Sequence, residues 1–176
     1  MNEKLVILEM ANNHMGDVGH GINTINAFAP LAKDFKEDFR FAFKFQFRDL
    51  DTFIRPDYKN KLDHKYVKRF LETQLSRQQF ETLKKAAQQA GFRTMCTAFD
   101  EASVDVIKDM GFNFIKVASC SFTDWPLLNK VVELDKRIVI SVAGAGVDDI
   151  DNVVSFLKNR NKKFFLMHCV VNILLS

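Results

Sequence analysis

The sequence predicts an α/β fold of the (β/α)8 TIM-barrel type, incomplete at about six βα units, and three observations carry that expectation. Short apolar runs alternate with longer amphipathic stretches, the pattern of a parallel sheet with helical crossovers. Polar residues, among them lysines, stand inside strands that are otherwise apolar. Thr97, Ser119 and Ser141 recur every 22 residues, each at or near the C-terminal end of its strand, the face on which a barrel of this type builds its site. Chance spacing among many Ser and Thr is the plainer alternative for the last of these.

The strands are expected at Leu5–Met10, Phe41–Phe47, Arg93–Phe99, Phe114–Ala118, Arg137–Val142 and Lys163–Val170, from their β-branched and aromatic content and the turn residues at their ends. Ser76-Arg77-Gln78-Gln79 is a capping box that opens a helix running to about Ala90, with Gly91 as its stop. Asp100 caps the next helix, which ends at Gly111. Pro126 suits the first turn of the one after, where a missing N–H costs nothing. Asp148 and Asp149 favour the positive end of a further helix dipole. The stretch Arg48–Thr73 is too long for an ordinary barrel connection and reads as an inserted loop with a short helix near Lys65–Glu72. Ala143-Gly144-Ala145-Gly146 reads as a tight turn after strand five, with backbone N–H groups available to an anion as the less expected role.

Composition narrows the function. At 176 residues and 47% apolar, the chain can bury one substantial core. A net charge of +3 from 25 basic and 22 acidic residues, without a concentrated basic run, argues against a nucleic-acid partner. No apolar stretch approaches the roughly 20 residues that cross a bilayer, and the N-terminus lacks a secretory pattern, so a cytoplasmic protein is expected. Cys96, Cys120 and Cys169 match no zinc or redox spacing and read as buried thiols. The 18 Phe against 2 Tyr and 1 Trp fall largely in strands, which suggests core packing.

Strand two, Phe41-Ala42-Phe43-Lys44-Phe45-Gln46-Phe47, sets Lys44 and Gln46 on one face and four Phe on the other. In an ordinary sheet the polar face would meet water. In a barrel the Phe face meets the helices, and Lys44 points inward, which is costly unless it finds an anion. Lys116 repeats the feature two strands later. Two inward lysines, Gln46 and the hydroxyls of Thr97, Ser119 and Ser141 make a cradle for a phosphorylated, carboxylate-bearing small molecule. Glu9, near the end of strand one, adds a carboxylate that can act as a general base or contact a metal-bound water.

In order along the chain stand EMANNHMGD (Glu9–Asp17), Lys44-Phe45-Gln46, Thr97-Ala98-Phe99-Asp100, Lys116-Val117-Ala118-Ser119, Pro126-Leu127-Leu128, Ser141 and His168-Cys169-Val170. Together they resemble the sialic acid (N-acetylneuraminate) synthases and their nonulosonic-acid relatives, with Ala98 where that family usually has Pro. The resemblance implies that Lys44, Thr97, Lys116, Ser119 and Ser141 bind phosphoenolpyruvate. It implies that Gln46 and Ser121 face an N-acylated hexose of the N-acetylmannosamine type, and that Glu9 acts at the reacting carbonyl. After Ser119 the family usually shows Gly and an acidic sugar ligand; here stand Cys120 and Ser121, which leaves the sugar open. His14, in the turn motif, reads as structural. A divalent metal, Mn or Mg, is implied as the Lewis acid, with its histidine ligands on two further βα units that this sequence does not contain; a C-terminal antifreeze-like domain is likewise implied and absent. The whole of 1–176 would then be one partial barrel domain.

The chain ends Val171-Asn172-Ile173-Leu174-Leu175-Ser176, and one choice of codons for the family's next motif, Ser-Glu-Tyr-Pro-Thr, read one base out of frame gives Val-Asn-Ile-Leu and opens another Leu codon. The chain therefore reads as a truncated or frameshifted synthase with crippled activity and open sheet edges that favour a homodimer or a self-associating fragment. A non-catalytic phosphate-ligand module, an assembly fragment and a related 3-deoxy-sugar-acid synthase are the alternatives.

Overall fold

Every second residue of the second strand is a phenylalanine, and the position of those rings decides the architecture. In the computed structural model, which describes residues 4–169, β2 (Phe39–Phe47) lies between β1 (Lys4–Glu9) and β3 (Arg93–Ala98). Phe43 packs on Phe28 of α1 (Val18–Asp34) and on Phe92, Phe45 on Phe112, and Phe47 on Phe80 of α4 (Arg77–Gln89). The Phe face therefore meets the helices, and Ala42, Lys44 and Gln46 face the concave side. Each ring buried this way contributes roughly 1.5–3 kcal/mol, enough to set which face turns inward.

The six strands pair in parallel in sequence order, from β1 through β4 (Phe114–Val117) and β5 (Arg137–Ser141) to β6 (Phe164–Met167), and curl into a half-barrel. Its convex side carries the larger core. A smaller inner cluster of Met95, Phe114 and Val139, flanked by Leu5, Ile7 and Met167, fills the concave side below the polar residues. That stacking of side chains in layers is how barrels of this type fill their interior.

The helices begin where capping chemistry places them. Ser76 and Gln79 exchange both bonds of the capping box, Gln79 N–H donating to Ser76 Oγ (3.3 Å) and Ser76 N–H to Gln79 Oε1 (2.8 Å). Asp100 caps α5 (Glu101–Asp109) through Ser103 N–H, and Asp124 caps α6 (Trp125–Val132) through Leu127 N–H. Pro126 sits in the first turn of α6, and Asp148 and Asp149 in that of α7 (Val147–Asn159). The insertion contains α2 (Leu50–Phe53), a short 3₁₀ turn at Pro56–Tyr58 and α3 (Lys65–Glu72).

Four of the strands stop one residue before their expected ends, and β2 starts two residues sooner. β6 ends at Met167, the last residue paired with β5, opposite Ser141; Val170 and the tail 171–176 lie outside the described residues. Helix α1 has the weakest sequence signals, with Pro30 inside it. It is held by close packing on α4, where a Cβ on Gly21 would meet Leu83 Cδ2 at 2.7 Å. Cysteine burial also differs from expectation: Cys96 is buried, Cys169 is half-buried and Cys120 is exposed. Cys120 is the exposed middle residue of the 3₁₀ turn Ser119–Ser121 that follows β4.

Among the described residues β1 and β6 each pair on one side only, and Phe165 and Leu166 on β6 are exposed. Unpaired edges with apolar side chains recruit further strands. The isolated chain is therefore expected to elute as a dimer or larger species in multi-angle light scattering. A monodisperse monomer that melts cooperatively at high temperature would contradict this.

Candidate active-site cleft

Strand register brings the polar residues together. Glu9 pairs with Lys44 across β1 and β2, Gln46 with Thr97 across β2 and β3, and Thr97 with Lys116 across β3 and β4. The inward members of neighbouring strands thus form one polar layer at the C-terminal rim. With Ser119, Ser141 and Cys169 they line a cleft of about 330 Å³, in the range of small-ligand sites.

Lys116 is 5% exposed. Its ammonium donates to the Val117 carbonyl (2.7 Å) and to Ser141 Oγ. Burial, and then the neighbouring Lys44, lower its pKa to about 8. Lys44 is ion-paired with Glu9 and donates to Thr97 Oγ1 (3.3 Å). Glu9 is further fixed by the Ala11 N–H, which donates to Oε1 (2.9 Å). Cys169 donates from Sγ to Ser141 Oγ (3.4 Å). Two partly desolvated ammonium groups and the hydroxyls of Thr97 and Ser141 therefore converge on one volume, with one carboxylate at its edge. A dianionic ligand would relieve the repulsion between the lysines and accept from the hydroxyls.

The sequence-predicted residues divide on inspection. Glu9, Lys44, Gln46, Thr97, Lys116, Ser119 and Ser141 all line the cleft. Ser119 opens a short 3₁₀ turn, Ser119–Ser121. Ser121, which closes that turn, is buried, with the Cys120 Sγ 3.9 Å from its Oγ, and does not line the cleft. Its own N–H donates to the Ala118 carbonyl (3.1 Å), which closes the turn.

His14 is buried against Phe80, accepts the Gly16 N–H at Nδ1 (3.1 Å), and has its pKa lowered by burial and by His20. It shapes the turn. Gly16 has φ +77°, and a Cβ there would meet the Glu72 carbonyl oxygen at 2.7 Å, so the turn needs glycine. Asp17 then caps α1 by accepting from His20 N–H (3.1 Å).

Arg48 is the residue that sequence reasoning passed over. Its guanidinium lies 4.0 Å from the Phe99 ring centre, 4.7 Å from Phe70 and 5.8 Å from Phe53. Each such contact contributes roughly 0.5–2 kcal/mol. Arg48 Nη2 donates to Gln46 Oε1 (2.7 Å). Asp100, besides capping α5, accepts the Asp49 N–H (2.9 Å) and so pins the segment beside Arg48 to the end of β3. The available signal was Arg48 directly following the Phe/polar alternation of β2, at the start of an insertion rich in aromatics.

No three His, Cys, Asp or Glu side chains among the described residues are grouped to hold a metal. The described residues therefore do not themselves fit the divalent cation that the resemblance implies. No helix among them is long and apolar enough to cross a membrane.

Several known proteins share this arrangement. The candidate spore coat polysaccharide biosynthesis protein E of Chromobacterium violaceum is 50% identical, superposes with a TM-score of 0.92, and is matched over 97% of this chain and 50% of its own. The N,N'-diacetyllegionaminic acid synthase of Campylobacter jejuni is 27% identical over 96% of this chain and 52% of its own. The N-acetylneuraminic acid synthetase of Leptospira borgpetersenii, 23% identical over 99% of this chain and 57% of its own, shares the fold at a TM-score of 0.78. The chain spans about half the length of the relatives it matches. The NeuB family profile covers residues 36–173, which includes most of the cleft, and the chain belongs to the NeuB family.

Proposed function

We propose that this chain carries the phosphoenolpyruvate-holding part of a sugar-acid synthase site. The full reaction would condense phosphoenolpyruvate with an N-acylated hexose of the N-acetylmannosamine type, giving a nonulosonic acid and phosphate. The observation that carries the reading is the convergence of Lys44 and Lys116 with Thr97 and Ser141 in one cleft. The family's membership in sugar-acid biosynthesis supports it.

In this reading Lys44, Thr97, Lys116, Ser119 and Ser141 hold the phosphate and carboxylate of phosphoenolpyruvate, and Gln46 faces the sugar. C3 of phosphoenolpyruvate bonds to the aldehyde carbon, whose oxygen takes up a proton. Water then adds to the cationic C2, and the C2–O bond to phosphate breaks. Glu9, its carboxylate ion-paired with Lys44, would accept the proton that the water gives up. A divalent Mn or Mg, for which the described residues offer no cluster of ligands, would polarise the aldehyde. We assign the protein to the cytoplasm, where its three free thiols would stay reduced.

Calorimetric titration of the chain with phosphoenolpyruvate tests the reading. Binding that inorganic phosphate competes away is expected, and Lys116→Met should weaken it by at least about tenfold, the loss of one charge-assisted contact. Absence of binding, or an unaffected K116M variant, would overturn it.

The same site should respond to pH. Burial disfavours the Lys116 ammonium, so the free protein keeps that proton below about pH 8 and loses it above, while a bound anion restores it. Affinity should therefore change little through Lys116 below pH 7.5 and fall roughly tenfold by pH 9. A flat profile across that window would show that Lys116 does not meet the anion.

A further inference from the structure

The geometry points to Arg48 as a positioning residue for the sugar substrate, acting through Gln46; this inference rests on the functional reading above for the identity of that substrate. Guanidinium nitrogens only donate hydrogen bonds. The Gln46 atom facing Arg48 Nη2 at 2.7 Å must therefore be its carbonyl oxygen. With Oε1 turned to Arg48, the Gln46 amide directs its two N–H donors to the rest of its surroundings, and the one acceptor lone pair left on Oε1 lies beside the guanidinium.

Gln46 borders two spaces. One is the cleft with Glu9, Lys44 and Thr97. The other is a small recess between Arg48, His14, Asn12 and Phe70. The recess measures about 30 Å³, which admits a water and excludes a phosphate, a carboxylate or an N-acyl group. Arg48 therefore does not receive a substrate group in that recess. Its influence reaches the cleft through the amide it orients.

The guanidinium is itself held rigidly. Phe99, Phe70 and Phe53 surround it, its Nε is buried without an acceptor, and its sole hydrogen-bond acceptor among the described residues is Gln46. A cation so enclosed cannot swing away without exposing the aromatic box, so the amide orientation is fixed before any ligand arrives. The consequence is a chemical preference: the substrate must offer an acceptor oxygen, a hydroxyl or acyl carbonyl, where it meets Gln46. A group that can only donate is disfavoured there, because the acceptor oxygen is already shared with Arg48.

The test uses the side-chain amide signals of Gln46 in the 1H–15N spectrum, assigned by their loss in Q46M. Arg48→Met keeps an apolar occupant in the aromatic box and removes the donor; Arg48→Lys keeps a donor without the planar stacking. In the unliganded native chain the Gln46 amide should stand apart from free glutamine, and in R48M it should collapse toward the free position. With phosphoenolpyruvate present, N-acetylmannosamine should shift the native signal. R48M should bind that sugar at least about tenfold more weakly, as expected for one lost oriented hydrogen bond, while phosphoenolpyruvate affinity stays within about twofold. R48K should recover part of the sugar affinity. Native-like Gln46 signals in R48M, or a native amide that ignores the sugar, would overturn the proposal. Failure of phosphoenolpyruvate to bind the native chain would instead defeat the functional reading, and the unliganded spectra would still decide whether Arg48 holds Gln46.

Discussion

A lysine cannot sit on the inside of an apolar sheet unless its charge is answered, and Lys116 is such a lysine. The Val117 carbonyl and Ser141 hydroxyl satisfy two of its donors, but neither carries a charge. The nearest carboxylate in the cleft, Glu9, is already committed to Lys44. Lys116 is therefore left under-compensated, and its depressed pKa registers that deficit. A site that holds a cation in this state is preorganised for an anion: the desolvation cost is met on folding, and the ligand collects the electrostatic gain.

The fold makes that arrangement stable by using the two faces of one strand for opposite purposes. On β2 the rings of Phe43, Phe45 and Phe47 lock the convex face against Phe28, Phe112 and Phe80. Lys44 and Gln46 then have nowhere to turn but inward. Below them Met95, Phe114 and Val139 close the floor and keep the effective dielectric low. Above them Asp17, Asp100 and Asp124 cap the helices that follow the strands, which fixes the loops forming the rim. Asp100 does this twice over, because its second oxygen also anchors the insertion at Asp49.

This division explains what the sequence disclosed and what it hid. Strand positions and the lysine-bearing inner face were legible because period-two alternation is a local signal, and the Ser76–Gln79 box and the Asp100 cap were legible for the same reason. The polar layer was foreseen from hydroxyls at equal spacing, but the register sets Thr97 level with Lys116, and Ser119 reaches the cleft from the turn beyond β4. Arg48 was not foreseen, because its aromatic box is assembled from Phe53, Phe70 and Phe99, which lie on three separate segments. Ser121 looked equivalent to its neighbour Ser119, yet a single 3₁₀ turn sends the one to the cleft and buries the other. Cys120 shows the same limit, since it is exposed in the same turn that buries Ser121. Contacts made by chain reversal and by distant loops leave no periodic trace.

The central claim is that Lys116 is a buried ammonium waiting for an anion, and it can be read directly. Titrating the Lys116 side chain by 13C-detected NMR, with and without inorganic phosphate, measures it. The account predicts a midpoint near 8 in the free chain and a clear rise when phosphate is present, because the anion favours the charged form. An ordinary lysine midpoint that phosphate does not move would contradict it.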